Sequence, residues 1–195
     1  MKIAILTSTA GSNLPFIFSH IQKKFENIEC ILISNKKNSG AIKKAQQFSI
    51  PYFIIEANAL ESREDYDKKV LNILQTENID YIFMIGYMRI VSHLFVQTFK
   101  NKIFNIHPSL LPAFAGGMSE NVHKDVLDFG CKISGATLHV VSEKVDSGKI
   151  IDQKACEISD TETVLSLKQK VQKLEQEMIT HLISKLYFKN TRFNI

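Results

Sequence analysis

Three side chains in the second half of the chain have the types and spacing to polarise a carbonyl and move a proton. Asn105 and His107 lie in Asn105-Ile106-His107-Pro108-Ser109-Leu110-Leu111-Pro112, directly after the apolar pair Ile103-Phe104. A short apolar run of this kind reads as a buried strand. Residues i and i+2 of a strand point to one face, so an amide donor and an imidazole address one point in space. Pro108 biases His107 toward extended geometry and ends the pairing. Asp146 follows in Val145-Asp146-Ser147-Gly148, a glycine-containing turn before another apolar run. An amide N–H beside a protonated imidazole stabilises a developing oxyanion. A carboxylate next to that imidazole orients it, favours its charged form and helps carry a proton. A lone histidine before proline is more often structural, so the weight rests on the three together.

The elements that must position these residues alternate βαβα. Lys2 to Thr7, Ile28 to Ser34, Pro51 to Ile55, Tyr81 to Ile85 and the run ending at His107 read as strands. Between them, Gly11-Ser12-Asn13 opens a helix, Ala41 to Phe48 and Ser92 to Phe99 form short ones, and Ser62 caps another to Gln75. Apolar strands alternating with helices predict a parallel sheet covered on both faces. The second half differs. Glu120 to Phe129 reads as a helix ended by Gly130. Lys132 to Val141 and Lys149 to Glu157 flank the Asp146 turn and should lie antiparallel at the sheet edge. Ser159-Asp160-Thr161-Glu162 reads as a capping box for a long last helix. Leu167, Val171, Leu174, Met178, Leu182 and Leu186 recur along it as a core-facing seam. The expected class is α/β: a single Rossmann-like, doubly wound, mostly parallel sheet with antiparallel edge strands in the C-terminal half. No repeat or linker divides residues 1–195, so one domain is expected.

Composition narrows the function. Nearly half of the 195 residues are apolar, 45%, as in a globular domain that buries a sizeable core. No run approaches the roughly 18 apolar residues of a membrane span. Met1-Lys2-Ile3-Ala4-Ile5-Leu6 reads as a first strand and not as a signal peptide, so a cytoplasmic location is expected. The net charge of +4 is spread over scattered lysines, which argues against a nucleic-acid interface. Small-molecule substrates are expected, on a monomer or a homodimer. Cys30, Cys131 and Cys156 have no metal-ligand spacing, and no disulfide is expected. Cys30 and Cys156 read as buried thiols.

The loop Thr7-Ser8-Thr9-Ala10-Gly11-Ser12-Asn13 joins the first strand to the first helix. Ligands of open α/β sheets sit beyond the carboxyl ends of the strands, and a helix N-terminus suits a phosphate. One glycine does not make a dinucleotide fingerprint, and no Gly-Lys-Ser/Thr follows for a P-loop. Alone, Gly11-Ser12-Asn13 is a capped turn.

Together, the Asn105–Pro112 motif, Ser134-Gly135-Ala136-Thr137-Leu138-His139 and Val145–Gly148 resemble the folate-dependent formyltransferases. Within them the chain is most similar to the branch that formylates glycinamide ribonucleotide in purine synthesis. The resemblance runs from about Lys2 to the final long helix. It implies transfer of the formyl group from N10 of 10-formyltetrahydrofolate to a primary amine, without a metal, with Asn105, His107 and Asp146 as catalytic residues. It implies a ribonucleotide half over about 1–100 and a folate and catalytic half over about 101–195. Gly11, Ser12 and Asn13 would hold the ribonucleotide phosphate, with Arg63 nearby. Gln172 and Glu175 would contact the phosphate and the amine region. Met88, Arg89, Ile90 and Val91 would grip the pteridine, with Ile90, Val91, Phe95 and Val141 forming an apolar slot. Thr137 would position a catalytic water, His123 would stand behind the active-site loop, and His139 would pack or hydrogen-bond nearby. Two departures are visible: Thr9-Ala10 replaces the usual Ser-Gly, and Ala113-Phe114-Ala115-Gly116-Gly117-Met118 replaces a Phe-Pro-Gly flap. Methionyl-tRNA or sugar-amine formyltransferases, a formyltetrahydrofolate hydrolase and a non-catalytic nucleotide-binding module are the alternatives. Dispersed charge and a chain ending soon after its last helix count against the first, Gly11-Ser12-Asn13 against the second, a first strand at Lys2 against the hydrolase, and Asn105, His107 and Asp146 together against the module.

Overall fold

Alternation within the strands builds the two faces of the molecule. The computed structural model describes residues 1–117 and 119–192. In the first strand, β1 (Lys2–Thr7), Ile3 and Ile5 enter one core, while Ala4 and Leu6 enter the other. Period-two alternation with apolar residues on both faces requires cover on both sides. The first core is covered by α1 (Leu14–Lys24), α2 (Gly40–Gln47), α5 (Ser119–Asp128) and α6 (Val164–Arg192). The second is covered by α3 (Arg63–Thr76) and α4 (His93–Thr98).

The remaining strands are β2 (Glu29–Ser34), β3 (Tyr52–Ile54), β4 (Tyr81–Met84), β5 (Ile103–His107), β6 (Ile133–Val140) and β7 (Ile150–Glu157). Their order across the sheet is β3-β2-β1-β4-β5-β6-β7. The first five are parallel, and β6 and β7 are antiparallel, as expected for the edge. The winding reverses between β1 and β4. That reversal is where open α/β sheets leave a crevice beyond the strand ends.

Helix ends follow local chemistry. The Ser62 hydroxyl accepts the Asp65 N–H at 3.1 Å, as expected of a cap. Gly130 closes α5 through hydrogen bonds to Leu127 O and from Cys131 N to Val126 O. The start of α6 differs from expectation. Ser159 and Glu162 form a turn, but the helix begins at Val164, and Thr163 Oγ1 caps it by accepting Ser166 N–H at 3.1 Å. The seam of α6 faces the first core, with Leu167, Val171, Met178 and Leu182 buried and Leu174 and Leu186 partly so. Cys30 is buried, whereas Cys156 on edge strand β7 is only partly covered. Among the described residues no helix is long and apolar enough to cross a membrane.

Candidate active site

Two loops are tied together at the reversal of winding. Ser8 N–H donates to Gly86 O at 2.9 Å, and Met88 N–H donates to Ser8 Oγ at 2.8 Å. The loop after β1 is thereby fixed to the loop after β4. A cleft opens on each side of this junction. One, of about 260 Å³, is lined by the 86–91 segment, by Asn105, His107 and His139, and by the turn carrying Asp146. The other, of about 130 Å³, is lined by Thr9 to Asn13, His123, Lys168, Gln172 and Glu175. Gly86, Ile106 and Pro108 line both, so the clefts abut at the end of β5.

Asn105, His107 and Asp146 converge in the larger cleft. His107 is 4% exposed, and its Nδ1 lies 3.4 Å from Asp146 Oδ2. Its Nε2 lies 3.0 Å from Phe114 O. A carbonyl only accepts, so Nε2 carries the proton and Nδ1 presents a lone pair to the carboxylate. Burial holds the His107 pKa below its ordinary value, against the pull of Asp146 and Phe114 O. The protonated imidazole expected from the sequence is therefore not the resting form at neutral pH. Burial favours the uncharged ring. Asp146 goes the other way: burial opposes its charge, but its neighbours, the Gly116 N–H among them, outweigh it and hold the carboxyl below the usual range. The Gly116 N–H donates to Asp146 Oδ2 at 2.8 Å.

The Asp146 turn is pressed against β6. A Cβ at Gly148 would lie 1.8 Å from Val140 O, so only glycine permits this approach. Asp146 itself takes φ 49°, a left-handed conformation that aspartate tolerates.

His139 is a site residue in its own right. It pairs with Asn105 across the antiparallel β5–β6 ladder and is 2% exposed. Its Nδ1–H donates to Val140 O at 3.0 Å, which leaves Nε2 to accept an Asn105 Nδ2–H at 3.1 Å. One amide N–H is thus held by His139, and Asn105 lines the cleft. His139 Nε2 also lies 3.6 Å from Asp146 Oδ1. The expectation was that His139 packs or hydrogen-bonds nearby, and the partner it bonds is Asn105. The signal lay in its sharing a strand face with Thr137 opposite the Asn105–His107 pair.

Thr137 is placed otherwise than expected. It is fully buried and its hydroxyl is engaged: it donates to Ser109 O and accepts from Leu111 N and Gln153 Nε2. Gln153 also donates to Leu111 O at 3.0 Å. This pair clamps the Ser109–Leu111 loop behind His107, and Thr137 does not line the cleft. Met88, Arg89, Ile90, Val91 and Val141 do line it. Phe95 does not: it is fully buried in the core beneath α4, because it sits on that helix's inner face. Of the flap, Gly116 and Gly117 line the cleft, and Met118 lies outside the described residues.

In the smaller cleft, Gly11 has φ +66°, and a Cβ there would lie 2.4 Å from Leu14 Cδ1. Glycine is needed here to close the turn onto α1, more than to let a ligand approach. The Asn13 side chain is turned inward. Its Nδ2 donates to Glu175 Oε2 at 2.6 Å, and its Oδ1 accepts from Gln176 Nε2 at 3.1 Å. Asn13 therefore ties α1 to α6 and offers a ligand its backbone and not its amide. Ser12 is exposed, and Gln172 lines the cleft. Burial pushes the Glu175 carboxyl up to about 7, and burial pushes His123 down to about 4. Arg63 joins neither cleft. It is exposed on the first turn of α3, and its charge is felt by Asp67 near the 86–91 segment.

A family model described as Formyl transferase matches residues 1–183. The chain belongs to the formyl transferase family. It is 32% identical to the phosphoribosylglycinamide formyltransferase of Bacillus subtilis, over 98% of this chain and 97% of that one. It is 38% identical over 90% of its length to the trifunctional purine biosynthetic protein adenosine-3 of Gallus gallus, of which it spans only 17%. The solved phosphoribosylglycinamide formyltransferase of Bacillus halodurans superposes with a TM-score of 0.88, at 30% identity over 95% of each chain. That of Coxiella burnetii gives 0.87, at 32% identity over 94% of this chain and 85% of the other. The sheet order and antiparallel edge are those of this formyl transferase fold.

Proposed function

We propose that this formyl transferase moves the formyl group of 10-formyltetrahydrofolate to the amine of glycinamide ribonucleotide, a step of purine synthesis. The observation that carries the reading is the convergence of Asn105, His107 and Asp146 where two clefts abut. The larger cleft takes the folate, with Met88, Ile90, Val91 and Val141 as apolar lining and backbone groups of the 86–91 segment at the heterocycle edge. The smaller takes the ribonucleotide, with its phosphate at the N-terminus of α1 around Gly11, Ser12 and Asn13.

The amine lone pair attacks the formyl carbon, and the carbonyl electron pair moves onto oxygen. The free Asn105 N–H and the His107 Nε2–H, released from Phe114 O, donate to that oxygen. Between His107 Nδ1 and Asp146, two acceptors face each other with no proton between them. The proton shed by the amine fills that gap, and it passes on to N10 as the C–N10 bond breaks and the folate leaves. No covalent enzyme intermediate forms, since the amine is itself the nucleophile. Aligning two bound substrates supplies much of the acceleration. The test is an assay of 10-formyltetrahydrofolate with glycinamide ribonucleotide. Formylated product is expected; release of formate alone would move the chain to a hydrolase.

A further inference from the structure

Behind the larger cleft lies a group of buried polar side chains that the chemistry above does not use. Asp67, on α3, is 0% exposed. Its Oδ2 accepts the Ser92 N–H at 2.5 Å. Ser92 follows the 86–91 segment that lines the cleft and caps α4. Asp67 Oδ1 finds no hydrogen-bond partner among the described residues, and neither does the buried Nε of Arg89. The Arg89 guanidinium lies 3.8 Å from the ring centroid of Tyr66, which neighbours Asp67 in sequence. Tyr66 is pinned in turn, its hydroxyl donating to Ile55 O at 2.8 Å. A buried carboxylate is costly unless it is hydrogen-bonded and faced by a cation. Burial pushes the Asp67 carboxyl above its ordinary value, and Ser92, with the charges of Arg89 and Arg63 after it, opposes that rise. Ser92 and Arg89 lie in or next to the segment that lines the cleft. The other buried residues of α3 are Tyr66, Val70, Leu71 and Leu74.

We infer that Asp67 is a positioning residue for the formyl donor: it anchors the 86–92 segment from behind, through the Ser92 N–H. The inference rests on the reading of the larger cleft as the folate site. Asp67 touches neither substrate, so its removal acts on donor binding and not on the acceptor or the chemical step.

The test is Asp67→Asn, which keeps the shape but replaces the carboxylate that accepts the Ser92 N–H with a neutral amide oxygen. Donor binding is followed by calorimetric titration with 10-formyltetrahydrofolate, and both KM values and kcat by steady-state kinetics. Donor Kd and KM are expected to rise about tenfold or more, as for a weakened charge-assisted bond, with the acceptor KM within about twofold. A merely structural loss would lower kcat through the fraction of active enzyme and leave both KM values alone. Unchanged donor constants in a folded variant, or equal rises in both KM values, overturn the inference. If Asp67→Asn is isolated unfolded, Ser92→Pro carries the test, since it deletes outright the N–H that Asp67 accepts, and proline suits the Ser92 φ of −75°. The same donor-only loss is expected there, and its absence overturns the inference. Wild-type enzyme that binds no donor would overturn the folate-site reading as well. Normal wild-type binding with an unchanged variant overturns only the role of Asp67.

Discussion

His107 faces two acceptors, Phe114 O and the Asp146 carboxylate, and at neutral pH holds one proton between them. In the proposed chemistry, that mismatch makes the pair ready to receive a proton from the amine. His107→Ala and Asp146→Asn should each lower kcat by ~100-fold or more, the scale of a positioned acid–base group. Circular dichroism should show that both variants fold. Turnover near that of the wild type in either would sink the catalytic assignment. Glu175 and His123 respond to pH in opposite senses. The folded pKa of Glu175, about 7, lies above its ordinary 4.5, so the stability it contributes is full below about 4.5 and lost as pH rises through about 7. The folded pKa of His123, about 4, lies below its ordinary 6.5, so its contribution is full above 6.5 and lost as pH falls through about 4. Glu175→Gln keeps an acceptor for Asn13 and removes only the first effect. It should match the wild type near pH 4.5 and exceed it at pH 8 by on the order of 1–3 kcal/mol. Melting curves across that range check this, and a difference independent of pH would contradict it.

At the scale of elements, each cleft depends on a loop that one residue closes. At Gly11 an added side chain meets Leu14, which is fully buried and cannot retreat. Gly11→Val should therefore shift the start of α1 and raise the acceptor KM by about tenfold or more, with the donor KM within about twofold. Parallel changes in both KM values would show that the loop serves another purpose. The strands were legible because apolar residues on both faces leave few alternatives for Ile3 to Leu6 or Ile31 to Ile33. Asn105 and His107 were legible because their spacing is local. His139 was harder, because its partnership with Asn105 comes from the antiparallel register of β6 on β5, which no local pattern encodes. The clamp of Thr137 and Gln153 on Leu111 is hidden for the same reason, since both residues belong to the edge pairing of β6 with β7. Arg63 misled because a charged residue in a first helical turn reads alike whether it faces a ligand or solvent.

The whole molecule brings two clefts to one strand end. The N-terminus of α1, proposed for the phosphate, and the end of β5, proposed for the chemistry, meet at a junction held by Ser8 and Gly86. Binding energy gained at the phosphate therefore orients an amine that the phosphate does not touch. Energy spent in this way appears in kcat/KM and not in affinity alone. An acceptor lacking the phosphate, glycinamide riboside, should lose charge-assisted bonds at the helix N-terminus and on the order of 3 kcal/mol of transition-state stabilisation, above a hundredfold in kcat/KM. The measurement compares the two acceptors at fixed donor, with hydrolysis of the donor as background. A transferase acting on a tRNA-bound amine or a sugar amine would hold its acceptor elsewhere and give no such dependence. Comparable kcat/KM for both acceptors would thus separate the smaller cleft from phosphate recognition, whatever the fate of the His107–Asp146 chemistry. A large loss together with retained hydrolysis would show that the donor cleft works alone and that the acceptor cleft supplies only alignment.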